Sequence, residues 1–114
     1  MQKPKAIFCW SGGKDSAFAL FKVLREQRYE IVSLLTTLNK NYKRISMHGI
    51  REALLDSQVE AIGIPLVKVW VTGSSNEEYE RQMEQQLLGF KNQGVNHIIF
   101  GDILMLPNWM CRRL

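Results

Sequence analysis

The chain predicts an α/β fold: a parallel sheet of about four strands with helices on both faces. Two observations carry that expectation. Short apolar, β-branched runs alternate with longer segments whose apolar residues recur at helical spacing. The first such run, Ala6-Ile7-Phe8-Cys9-Trp10, passes into the helical segment through Ser11-Gly12-Gly13-Lys14-Asp15-Ser16. A strand, a glycine turn and a helix N-terminus in that order belong at the carboxyl edge of a parallel sheet, where such folds face their ligands.

The elements follow in order. Lys5–Trp10 reads as the first strand. Asp15–Tyr29 reads as a helix with Ala17, Phe18, Phe21 and Leu24 on its inward face. Glu30–Leu38 contains Ile31-Val32-Ser33-Leu34-Leu35-Thr36-Thr37 and reads as a buried parallel strand. Asn39–Ser46 is a polar loop. Gly49–Ile62 is the second helix, its stripe formed by Ile50, Ala53, Leu54, Ser57 and Ala61, with Gly63 where the helix ends. Pro65–Val71 is the third strand. Ser75 or Asn76 caps the third helix, and Glu77 and Glu78 complement its dipole. Tyr79, Met83, Leu87 and Phe90 face inward, and Gly94 closes the helix. Asn96–Gly101 is the fourth strand.

Composition bounds the remaining possibilities. The 114 residues are 46% hydrophobic and 23% charged, which suits one globular domain. No apolar run approaches the ~20 residues that span a bilayer. The N-terminal apolar run flows straight into the glycine turn, so it does not read as a cleavable leader, and a cytoplasmic protein is expected. Cys9 and Cys111 form no metal-ligand spacing, and no pairing between them is expected in the cytosol. The net charge of +4 suits a polyanionic ligand. The positive residues are scattered, however, and form no long basic face for nucleic acid.

The segment Ser11–Ser16 is an anion cradle. First-turn N–H groups of a helix lack intrahelical partners, and the helix dipole favours negative charge there. Gly12 and Gly13 let the backbone approach a phosphate closely. Ser11 and Ser16 add hydroxyls and Lys14 adds a cation. The string is neither a Walker A loop nor G-x-G-x-x-G. It resembles the pyrophosphate-binding loop of the PP-loop ATP pyrophosphatases, which cleave ATP between its α and β phosphates.

The first strand should flank the switch point of the sheet, where loops after several strands converge. Thr36-Thr37 and Gly101-Asp102 are expected on that rim. Ser46-Met47-His48-Gly49 is either a helix cap or a lip over a nucleotide, with Met47 on the adenine and His48 on ribose or phosphate. Arg51 either meets a phosphate or is solvated. Gly101-Asp102 is either a strand-to-loop turn or a site where Asp102 holds Mg²⁺ on ATP or contacts an acceptor substrate; Asp15 either competes for the metal role or caps and braces the loop. His97, Trp70 and Trp109 read as structural.

At a finer level the chain resembles the N-terminal, ATP-binding domain of the diphthine–ammonia ligase family. The resemblance rests on Trp10-Ser11-Gly12-Gly13-Lys14-Asp15-Ser16-Ala17, Leu34-Leu35-Thr36-Thr37 and Arg44-Ile45-Ser46-Met47-His48-Gly49-Ile50-Arg51. It continues through Gly63-Ile64-Pro65-Leu66, Ser75-Asn76-Glu77-Glu78-Tyr79 and Phe100-Gly101-Asp102-Ile103. It implies a Rossmann-like fold of the adenine nucleotide α-hydrolase (PP-loop) type. It implies an enzyme that adenylates a carboxylate, releases pyrophosphate and forms an amide with ammonia. The family's named substrate is diphthine, a modified histidine on a translation elongation factor. Carried onto this chain, Ser11, Gly12, Gly13, Lys14, Asp15 and Ser16 would hold the phosphates of ATP. Thr36 and Thr37 would sit beside the adenosine, and Met47 and His48 would close over it. Gly101 and Asp102 would lie near the α-phosphate. Lys14, Asp15 and Asp102 are the expected catalytic residues.

The pattern departs from the family at its end, where Leu104–Leu114 replaces the family's further helix, strand and second half. A truncated product is therefore expected, with a helix start available at Pro107 and Cys111 in a polar tail. Ile98-Ile99-Phe100 is then expected as an open apolar edge that promotes self-association. Two other functions compete with the ligase. One is a tRNA-modifying PP-loop enzyme, which usually brings cysteine pairs or a tRNA-binding extension. The other is a non-catalytic nucleotide-binding module, whose stress-protein relatives carry a late glycine-rich phosphate signature that this sequence lacks.

Overall fold

A computed structural model describes residues 3–40, 44–45, 51–72, 76–100 and 110–113. The elements are β1 (Lys5–Cys9), α1 (Lys14–Glu26), β2 (Glu30–Asn39), β3 (Arg44–Ile45), α2 (Glu52–Ile62), β4 (Leu66–Val71), α3 (Asn76–Asn92), β5 (His97–Phe100) and β6 (Met110–Arg113). The four central strands are all parallel and stand in the order β4-β2-β1-β5. The chain is thus an α/β Rossmann-like fold. β1 pairs with β2 on one side (Ala6 with Ile31, Cys9 with Leu35) and with β5 on the other (Ala6 with His97, Cys9 with Phe100).

The order explains the layers. From β1 the chain steps outward to β2 and on to β4, then returns across β1 to β5. Crossovers of one hand therefore place α1 and α2 on one face and α3 on the other. The two apolar clusters divide accordingly. Phe8, Leu34, Leu38 and Ile99 pack with Ala19, Leu20 and Val23 of α1 and Leu55 of α2. Ile7, Leu35, Val69 and Ile98 pack with Met83, Leu87 and Phe90 of α3. Alternate residues of β1, β4 and β5 feed opposite clusters, as the pleat requires.

Gly63 (φ 81°) and Gly94 (φ 90°) end α2 and α3 in the left-handed region, as expected. α1 ends earlier than expected, because Gln27 turns left-handed at φ 56°. In α3 the first-turn Glu78 carboxylate accepts from the Thr72 N–H at 2.5 Å and the Thr72 hydroxyl at 2.6 Å. That contact ties the helix start to the end of β4.

Three expectations about helix faces are corrected. Phe18, Phe21 and Leu24 are 50%, 59% and 43% exposed, and Ala17 is exposed as well. The buried stripe of α1 is Ser16, Ala19, Leu20 and Val23 instead. α1 carries two apolar stripes at the same spacing, and the one with smaller side chains packs closer to the sheet. In α2, Ala53, Leu54, Ser57 and Ala61 are exposed. Leu55 is buried there, with Val59 and Ile62 packed beside it. In α3, Tyr79 is exposed, while the other three expected residues pack inward.

Two strands escape the sequence reading. β3 falls within the segment expected as loop and pairs antiparallel with Leu38 and Asn39 of β2, past the end of β1. β6 pairs antiparallel with β5, from His97 opposite Arg113 to Phe100 opposite Met110. β5 is therefore not an open edge, and the expected self-association through it loses its basis. Its free main-chain groups are taken by β6. Cys111 lies opposite Ile99 in that strand rather than in a polar tail. Pro107 and Trp109 lie outside the described residues.

Among the described residues no helix is long and apolar enough to cross a membrane. α2 is fastened to β4 by Lys68, whose ammonium lies 2.8 Å from Glu52 and 2.7 Å from Asp56. Hydrogen bonds that the Lys68 ammonium donates to Asp56 and then to Glu52 raise its pKa above the ordinary lysine value, against a smaller opposing effect of burial.

Candidate functional site

The site starts where β1 leaves the sheet. The Trp10 N–H makes the last sheet-like bond, to the Leu35 carbonyl at 2.8 Å. Gly12 then takes φ 81°, where any side chain would strain the backbone. Gly13 is extended (φ −86°, ψ 171°) and caps α1 through its backbone alone, accepting from the Ala17 N–H at 3.1 Å. Among the described residues no side chain caps this helix. Its first-turn N–H groups therefore have no side-chain acceptor among the described residues, at the positive end of the dipole. β1 has neighbours on both sides reached by opposite crossovers, so this helix start stands at the switch point.

The loop is held from below. Ser16 is fully buried, and its Oγ accepts from the Ser11 N–H at 3.2 Å. Gln58, half-buried on α2, makes two further bonds. Its Oε1 accepts from the Trp10 indole N–H at 3.1 Å, and its Nε2 donates to the Gly12 carbonyl at 3.1 Å. Gln58 escaped the sequence reading. The available signal was a polar residue among Leu55, Val59 and Ile62, the true inward stripe of α2.

Of the residues expected at the site, Ser11, Gly12, Gly13, Lys14, Asp15 and Ser16 form one continuous loop and helix start. Lys14 is the first residue of α1, and Asp15 is exposed in its first turn. Thr36 and Thr37 lie on β2 just beyond Leu35, the last residue paired to β1. They therefore occupy the same rim. Thr36 is buried, and its Oγ1 finds no hydrogen-bond partner among the described residues. Such a hydroxyl costs about 1–3 kcal/mol unless something satisfies it. Arg51 is exposed at the N-cap of α2. Met47, His48, Gly101 and Asp102 lie outside the described residues. β5 ends with Phe100 opposite Cys9, so the chain leaves β5 beside the point where β1 enters its own loop.

Donors without acceptors, a glycine turn that admits close approach and an unpaired buried hydroxyl nearby suit a phosphorylated ligand with a polar second end. The family model of the diphthamide synthase N-terminal domain matches residues 4–109. The chain belongs to that family. No curated protein gives a match. The family match spans β1 to β5, covers the Ser11–Ser16 segment and places the chain in the PP-loop family.

Proposed function

We propose that this chain binds ATP at its PP-loop and cleaves it between the α and β phosphates to activate a carboxylate. The uncapped start of α1 at the switch point is the observation that carries the reading. The Ser11–Ser16 loop holds the phosphates, with Lys14 as the cation. Thr36 gives its hydroxyl to the nucleoside, and Thr37 lies beside it. Met47 and His48 close over the nucleotide. Asp15 and Asp102 are the carboxylates available to a Mg²⁺ ion, which would neutralise charge on the phosphate oxygens.

The chemistry follows the family. A carboxylate oxygen of the acceptor attacks the α-phosphorus of ATP. The bond to the β-phosphate breaks, and pyrophosphate leaves with that electron pair. Ammonia then attacks the acyl carbon, AMP departs with the carbon–oxygen pair, and the nitrogen loses one proton to become an amide. The protein supplies position and fixed dipoles at the phosphorus and no nucleophile of its own. Diphthine on a translation elongation factor is the acceptor that membership suggests.

Calorimetry with ATP and Mg²⁺, paired with a pyrophosphate-release assay, tests this directly. Saturable binding that is lost in Lys14→Ala supports the nucleotide site. Pyrophosphate release stimulated by an acceptor carboxylate and ammonia supports the ligase reading. Absence of any ATP binding by the folded wild type overturns both.

A further inference from the structure

Gln58 on α2 hydrogen-bonds Trp10 and Gly12 through the two ends of its amide. The two bonds fix its orientation. The indole N–H of Trp10 can only donate, and the Gly12 carbonyl can only accept. With Oε1 toward Trp10 and Nε2 toward Gly12 both partners are satisfied, at 3.1 Å each. The opposite orientation would set donor against donor and acceptor against acceptor. Trp10 is buried, so its indole has little water to fall back on.

This bond has a consequence for the anion site. The peptide joining Gly12 to Gly13 is planar and trans, so its carbonyl and its N–H point in opposite directions. Drawing the Gly12 carbonyl toward Gln58 aims the Gly13 N–H away from α2. If the plane turned over, a carbonyl would face the anion in place of a donor. Gly12 sits at φ 81° in a turn with few side-chain constraints, so the plane needs an external hold. Among the described residues the hydrogen bond to this carbonyl comes from Gln58 Nε2, while Ser16 Oγ accepts from the Ser11 N–H.

The geometry points to Gln58 as a positioning residue that locks the peptide between Gly12 and Gly13 in its phosphate-receiving orientation, with Trp10 locking Gln58 in turn. This rests on the nucleotide reading above and adds a role that separates phosphate from nucleoside affinity. The acid form of a glutamate can reproduce the amide here, accepting from Trp10 with one oxygen and donating O–H to Gly12 with the other. The carboxylate form cannot, since it would face the Gly12 carbonyl.

The test uses the full chain with Gln58→Leu and Gln58→Glu, titrated with inorganic pyrophosphate, with adenosine and with ATP, each with Mg²⁺. Loss of one oriented hydrogen bond and its donor predicts roughly tenfold weaker pyrophosphate and ATP binding in both variants at pH 7.5. Adenosine affinity is expected to stay within about twofold, because its binding does not use the locked peptide. On lowering the pH to about 4, below the ordinary glutamate value, Gln58→Glu is expected to recover pyrophosphate binding relative to wild type, while Gln58→Leu does not. A merely structural role would move neither the phosphate-to-adenosine ratio nor the pH profile. Wild type that binds pyrophosphate, with variants that bind it equally well, overturns the role of Gln58 and leaves the nucleotide reading standing. Parallel loss of adenosine and pyrophosphate binding also overturns it. Folded wild type that binds neither pyrophosphate nor ATP overturns both.

Discussion

Leu20 and Phe21 are neighbours on α1, yet truncating them should have very different effects. Leu20 is 4% exposed and packs with Phe8 and Leu34 on the sheet. Leu20→Ala removes buried carbons and leaves a cavity, for a loss of about 3 kcal/mol. For a domain of this size each kcal/mol shifts the melting temperature by about 4 °C, so a drop of about 12 °C is expected. Phe21 is 59% exposed. Burying a phenylalanine completely is worth up to about 3 kcal/mol, so its covered part contributes about 1 kcal/mol. Alanine returns about 0.5 kcal/mol of helix propensity, and the net loss should be near 0.5 kcal/mol, or about 2 °C. Scanning calorimetry with a check for two-state unfolding reads both values. If Phe21→Ala lowered the melting temperature as far as Leu20→Ala, the assignment of the buried stripe of α1 would be wrong.

Three further outcomes follow from the site and its supports. Thr36→Val removes the unpaired buried hydroxyl at constant volume; it should raise stability by about 1 kcal/mol while weakening ATP binding, and a destabilised variant would mean that the hydroxyl is already satisfied. Gly13→Ala should leave the melting temperature within about 3 °C, because a Cβ there meets only Ser11 Oγ at 3.9 Å and φ is negative, yet it should weaken pyrophosphate binding by crowding the backbone. Lys68→Met should cost stability at neutral pH. The raised pKa means that the wild-type advantage is complete below the ordinary lysine value, about 10.4, and fades as pH rises through the folded-state value. Urea midpoints of both proteins between pH 8 and about 11.5 check this, and a gap that widens with pH would contradict the direction given.

The order of helices and strands and the position of the Ser11–Ser16 loop were readable because both depend on neighbours in sequence. A switch from β-branched runs to helical spacing, glycines at Gly63 and Gly94, and two glycines between strand and helix each impose local backbone geometry. The place of β1 at the switch point followed from the same pattern. The motif residues from Ser11 to Ser16 accordingly form one continuous loop and helix start. Family resemblance added the expected ligand, because six consecutive residues specify a loop that composition alone would leave generic.

Only tertiary packing decided the rest. α1 offers two apolar stripes of equal period, and nothing within the helix says which meets the sheet; the choice depends on how closely Ala19 and Ser16 let it approach. β6 has the sequence Met-Cys-Arg-Arg, with no strand signal, and exists because β5 presents unpaired main-chain groups to it. Gln58 is 46 residues from Gly12, and no local rule joins them. A sequence records periods and turns, which short-range sterics enforce. Which face is buried, which edge is covered and which side chain steadies the loop are settled when distant segments compete for the same surface.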